Sequence, residues 1–171
     1  METKAIDAIL ARRSIRSYTG EPLNEAIITT LLKAAMSAPS AHNQQPWSFI
    51  VIDDRKTLDA IPAFHPYSKM LLQAPAAILV CGKTKDLPAQ VFWPQDCAAA
   101  TQNILVAANA LGIGSVWLGV YPKEELMGKT RNLLEIPEEI TPFSFVALGH
   151  PAEKKEPSER FSPDRVHHNR W

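Results

Sequence analysis

Cysteine is scarce in this 171-residue chain, and the two present form no motif. Cys81 and Cys97 make neither a CxxC pair nor a metal-ligand set, so they read as reduced, structural thiols of a cytoplasmic protein, with a disulfide or a reactive thiol as the alternatives. Net charge is missing too: 18 Lys and Arg cancel 18 Asp and Glu. A balanced chain lacks the broad cationic surface that nucleic acid or anionic lipid selects, so neither is expected as a partner and any positive patch must be local. Long hydrophobic runs are absent. The longest, "APAAILVC" (74–81), falls well below the roughly 20 residues of a membrane-spanning helix. The opening "METKAIDAILARRS" carries Glu2 and Asp7 and no uninterrupted apolar core, which argues against a secretory signal. There is no internal repeat and no low-complexity tract. No GxGxxG or P-loop follows a predicted strand, which weighs against a doubly wound nucleotide-binding sheet.

What is present is an ordinary apolar content of 46 %, enough for one core, and a single domain is expected over 1–171. Ala5, Ile6, Ile9 and Leu10 mark a helix over about 4–13. Asn24 is a plausible N-cap for a second, whose stripe of Ile27, Ile28, Leu31, Leu32, Ala35 and Met36 ends before Pro39. Strands are expected at 47–53, 76–82, 115–121 and 142–149, the second apolar enough to be buried on both faces. Between them lie a short helix at 55–61, a long alanine-rich and therefore central helix at 95–111 closed by Gly112, and a helix with Pro122 at its first position. From 151 to 171 the pattern dissolves into an arm ending in "FSPDRVHHNRW". A terminal tryptophan is costly to leave in water, so the arm is expected to lie ordered against a surface, with a partner subunit's as one option. The adjacent His167 and His168 do not converge well on one ion, which favours tail packing over metal binding.

Three stretches carry chemistry. "RRSIR" places Arg12, Arg13 and Arg16 around Ser14. In an extended chain Arg12, Ser14 and Arg16 share one side, and in a helix Arg12 and Arg16 still share a face. Forked guanidiniums suit a phosphate dianion, although a basic helix end favoured by the macrodipole is the alternative. "APSAHNQQPW" packs Ser40, His42, Asn43, Gln44 and Gln45 between an apolar helix and an apolar strand. Amides there could read a heterocycle edge, or the stretch is a polar connection. In "GIGSVWLGVY", Gly119 near a strand end allows a flat ligand to approach the backbone, or marks a bulge.

Taken in order, "RRSIRSY", "SAPSAHNQQPWSFIV", "GIGSVWLGVYP" and "FVALGHPAE", followed by an arginine, resemble the nitroreductase family of FMN-dependent oxidoreductases, over about 5–160, and "HHNRW" resembles the end of its small single-domain members. The resemblance implies an α+β fold, with a mixed, mostly antiparallel sheet wrapped by helices, in an intertwined homodimer with FMN at the interface and 151–171 as a C-terminal arm. It implies that Arg12, Arg13, Ser14 and Arg16 hold the phosphate, ribityl chain and ring edge. Pro39, Ser40, Ala41, His42 and Asn43 would come from the partner chain. Leu118, Gly119 and Val120 would place backbone beside the flavin N5, Arg160 would reach the phosphate, and Lys69 is the nearest cation to a further ring contact. Many members carry a lysine two positions before the last arginine, where this chain has Ser158.

The implied activity is NADH or NADPH oxidation, with hydride passing through flavin N5 to a nitroaromatic, quinone or similar acceptor in ping-pong turnover. No protein nucleophile and no metal are needed. Three rivals follow: an FMN carrier or redox sensor with little turnover, an anion-binding module without flavin, and a specialised ene reductase or dehalogenase of the same family.

Overall fold

Alternation along the strands sorts apolar residues onto two sides of one sheet. The computed structural model describes residues 4–156 and 158–171; residues 1–3 and Pro157, part of the single domain expected over 1–171, lie outside the described residues. The elements run α1 (Lys4–Ala11), α2 (Glu25–Met36), β1 (Trp47–Ile52), α3 (Arg55–Ala60), β2 (Ala76–Lys83), α4 (Trp93–Ala110), β3 (Gly114–Gly119), α5 (Glu124–Leu134) and β4 (Ile140–Gly149), with short 3-10 turns between. The sheet order is β1-β2-β4-β3, and every neighbouring pair is antiparallel. The parallel component of the expected mixed sheet is confined, among the described residues, to an isolated bridge between Ser14 and Ser115.

Strand β2 is central and covered on both faces, which is why it reads as a continuous apolar run. Ile78 and Val80 pack with Leu31, Ala35, Ala100 and Ile104 of α2 and α4. Leu79 and Cys81 pack on the other side with Leu58, Leu71 and Leu126. Cys97 lies on the α4 side, so the two cysteine side chains occupy opposite sides of the sheet, and both are free thiols. Burial first pushes the Cys81 thiol up to about 12, with Arg131 pulling against it; burial raises Cys97 further, helped by Cys81 and Asp96. Both stay protonated at neutral pH, the inert form.

Register shifts once, between Val80 and Cys81, so that Phe143 of β4 has no partner across on β2. The extra residue turns Phe143 to the α4 side while Phe145 stays on the other. Val120 and Tyr121 both donate their N–H to the Phe143 carbonyl, at 3.1 and 2.9 Å. These bonds carry the chain past the end of β3 before α5 begins. Pro122 is therefore not at the first helical position: it follows a cis bond from Tyr121, and Lys123 is the N-cap of α5.

Helix α1 stops at Ala11, short of the expected 13. Arg13 explains the stop, because its Nη1 donates to the carbonyls of Leu10 (2.9 Å) and Arg12 (2.6 Å), closing the helix end. Beyond it the chain extends and is strapped to the residues after β4. Thr19 N–H donates to His150 O, Ala152 N–H to Ser17 O, and Lys155 Nζ to Ser14 O at 2.6 Å. Gly114 makes the close approach possible, since a Cβ there would sit 2.8 Å from the Ile15 side chain. Trp171 at the arm's end is 101 % exposed rather than packed on the described chain, and its ring meets that of His167 at a tilt of 32° with centroids 4.4 Å apart.

Candidate functional site

The strap sets where the arginines point. Arg12 and Arg13 line a cleft of about 590 Å³ together with Arg160, Ser158 and Phe161 of the arm. Arg16 lines a different cavity, of about 600 Å³, with Lys69, Leu118 and Gly119. The single target expected for Arg12 and Arg16 is thus divided into two places. The alternatives for "RRSIR" are also divided by residue: Arg13 closes the helix end, while Arg12 faces Arg160.

Burial lowers the Arg12 guanidinium from its ordinary range, and the charges of Arg160 and Arg13 lower it further. Like charges brought together without a counter-charge are unfavourable. None of the ion pairs among the described residues takes up Arg12, Arg13, Arg16 or Arg160. Arg13 keeps a buried Nη2 with no hydrogen-bond partner, while its Nε donates to the Glu156 carbonyl at 3.0 Å. Arg160 Nε donates to Ser158 Oγ at 3.1 Å. Crowded guanidiniums with a donor left over are chemically suited to a phosphate dianion.

The second cavity has a different character. Its walls include Tyr67, Trp117 and Tyr121, and its cations are Arg16, Lys69 and Lys123. A Cβ built on Gly119 would meet nothing within 4 Å, so the protein's own packing does not require glycine there. The space above that backbone opens into the cavity and is free for a planar ligand.

The stretch 39–45 lines neither of these clefts. Pro39 and Ser40 lead into a turn over Ala41–Asn43, and His42, Asn43 and Gln45 adopt positive φ of 51, 52 and 44°. Non-glycine residues rarely hold that conformation without outside support. Asp96, 4 % exposed in the first turn of α4, supplies it. Its carboxylate accepts from Ala41 N–H at 2.9 Å and from Gln44 Nε2 at 2.6 Å. Ser40 Oγ accepts from Gln45 N–H, and Asn43 Oδ1 from Gln45 Nε2. In the sequence Asp96 shows only as an acidic residue near a helix start, a placement the dipole alone would explain.

Two more placements complete the site. Glu153 accepts from the Arg16 N–H and pairs with Lys155 at 3.2 Å, which holds its carboxyl below the ordinary range, the Arg16 bond being the larger cause. His65, in no motif, lies in the wall of the Gly119 cavity with Nε2 3.0 Å from the Gly119 carbonyl.

The Nitroreductase family model matches residues 9–66 and 62–150. The chain is 50 % identical over 173 residues to an Archaeoglobus fulgidus protein provisionally named NADH dehydrogenase/NAD(P)H nitroreductase, covering 98 % of this chain and 99 % of that one. A crystal structure of a protein of the same provisional name from Bacteroides thetaiotaomicron superposes with a TM-score of 0.95 at 40 % identity, covering all of both chains. A provisionally named nitroreductase from Desulfovibrio desulfuricans, solved in complex with FMN, superposes with a TM-score of 0.85 at 32 % identity, over 100 % of this chain and 99 % of that one. With its antiparallel α+β sheet and its matched stretch running from the end of α1 through β4, the chain belongs to the nitroreductase family.

Proposed function

We propose that the chain is an FMN-dependent NAD(P)H oxidoreductase that passes electrons to quinone, nitroaromatic or similar acceptors. The observation carrying this is the division of labour between two clefts: unneutralised guanidiniums in one, and a flat-walled cavity with exposed backbone at Gly119 in the other. Arg12, Arg13 and Arg160 hold the cofactor's phosphate by charge-assisted hydrogen bonds. Ser14, which follows Arg13 in the chain, would hold the ribityl chain. Arg16 and Lys69 place positive charge at the ring edge, where they favour added negative charge. Leu118, Gly119 and Val120 give backbone rather than side-chain contacts, so the open face is left for substrates.

FMN, when bound, supplies hydride acceptance from NADH or NADPH and delivery to the acceptor. The aromatic faces of Trp117 and Tyr121 orient flat substrates in turn at one open cavity, which fits ping-pong turnover. Pro39, Ser40, Ala41, His42 and Asn43, which line neither cleft in their own chain, serve the site of a second copy. A homodimer also gives cover to Ile9 and Leu10 of α1, which are 54 % and 66 % exposed. Buried free thiols fit a cytoplasmic location, and no described helix is long and apolar enough to cross a membrane.

The test is the visible spectrum of the purified protein before and after anaerobic NADH or NADPH, followed by oxidation with menadione or a nitrofuran. Bleaching by donor and recovery with acceptor are expected. A protein that binds no FMN overturns the proposal, and one that binds FMN without turnover is a flavin carrier instead.

A further inference from the structure

His65 is 2 % exposed and belongs to none of the ion pairs among the described residues, yet it forms part of the cavity wall beside Gly119. A carbonyl only accepts hydrogen bonds, so the hydrogen lies on Nε2 and is donated to Gly119 O at 3.0 Å. Nδ1 then accepts from Tyr67 N–H at 3.4 Å. The residue's own carbonyl accepts from Ser68 Oγ at 2.8 Å, and the ring meets Phe145 edge to face, with centroids 6.4 Å apart. A phenyl ring could fill this space but could not donate to Gly119.

The two segments this ring joins are the two that furnish the cavity. One continues into the turn Lys69–Leu72, whose first residue is one of the cavity's three cations. The other is the last residue of β3, where the ladder to β4 ends opposite Ser144 and the chain turns away. The Gly119 carbonyl shares its peptide unit with the Val120 N–H that bonds Phe143 O. The imidazole therefore closes the strand end on one side while β4 closes it on the other.

We propose that His65 is a positioning residue of the cofactor cavity: by tying the Lys69 turn to the Gly119 backbone, it sets how far the cavity favours the reduced, more negative form of bound FMN over the oxidised form. This rests on the flavin function above. A residue that only fills the core would alter stability and leave that preference unchanged.

The experiment compares wild type with His65→Gln, whose amide nitrogen reaches about as far as Nε2, and with two non-donors to Gly119, the shorter His65→Asn and the volume-filling His65→Met. FMN affinity is read by fluorescence titration, and the two-electron potential of bound FMN by spectroscopic titration against a reference dye. His65→Gln should keep a potential near wild type. Either non-donor should lower it by about 30 mV, the two-electron equivalent of a tenfold loss of preference for reduced FMN. Lys69→Met should lower the potential in the wild-type and His65→Gln backgrounds, and by less in a non-donor background. Equal potentials across wild type, Gln and whichever non-donor folds would overturn the role. A Gln variant shifted as far as the non-donor would do the same. Wild type that takes up no FMN would instead overturn the flavin function, before any variant is compared.

Discussion

The Arg12 guanidinium is lowered first by burial and then by Arg160 and Arg13, and no ion pair among the described residues takes it up, which is the environment the proposed phosphate contact would relieve. Arg12→Ala or Arg160→Ala should each weaken FMN binding by more than about 1 kcal/mol, that is, more than about fivefold, since each would lose the proposed charge-assisted phosphate contact. Fluorescence-quenching titration of the two variants checks this, and unchanged affinity in either removes that arginine from the phosphate site. Gly119 gives the converse case. Because an added Cβ meets nothing in the protein, Gly119→Ala should leave the melting temperature of the FMN-free chain within about 1–2 °C of wild type, in line with a surface substitution of under about 0.5 kcal/mol. It should still slow turnover, because the methyl group enters the space a flat ring would occupy. A large loss of thermal stability would show that the glycine serves packing instead.

At the scale of elements, the site depends on the strap between 14–19 and 150–156. Glu153 is its titratable joint. Its folded carboxyl lies below the ordinary value of 4.5, first through the Arg16 N–H, then through Lys155. A carboxyl lowered by folding contributes stability in full above its ordinary value and loses it as pH falls through the folded value. Exchange protection of the Arg16 amide should therefore be constant near neutrality and fall below about pH 4.5. Glu153→Gln should flatten that dependence at a cost below about 1 kcal/mol at neutral pH, the range of exposed pairs. Hydrogen exchange from pH 7 to pH 3 tests it, and identical profiles for the variant and wild type would exclude Glu153 as the joint. The stretch 39–45 depends in the same way on α4. Its polar sequence was plain, but three non-glycine residues with positive φ were not, because no local signal marks a conformation that a distant buried Asp96 holds in place.

At the scale of the whole molecule, the loop 39–45 lines neither of the two clefts, and α1 leaves Ile9 and Leu10 exposed. Both features would be resolved by the second copy proposed above. Light scattering at micromolar concentration should give twice the 18.9 kDa chain mass. A monomer that still reduces menadione at full rate would mean that 39–45 plays no part in the site. Replacing Trp171 and Phe161 by serine should weaken the dimer if the arm covers the partner, and leave the mass unchanged if it does not.

The sequence by itself determined the element order, because helix stripes, strand alternation and the Asn24 cap are local and have few alternative solutions. Through an ordered set of motifs it also pointed to the family. The stop of α1 at Ala11, the displaced start of α5 beyond Pro122 and the separation of Arg12 from Arg16 were decided only in three dimensions. So were the roles of His65 and Asp96. Apart from the stop of α1, where Arg13 bonds the nearby Leu10 and Arg12 carbonyls, each turns on a bond far along the chain: Tyr121 to Phe143, Lys155 to Ser14, His65 to Gly119, and Asp96 to Ala41. Side-chain type is written in the sequence. Which distant carbonyl or amide a side chain meets is fixed only when the sheet brings those segments together.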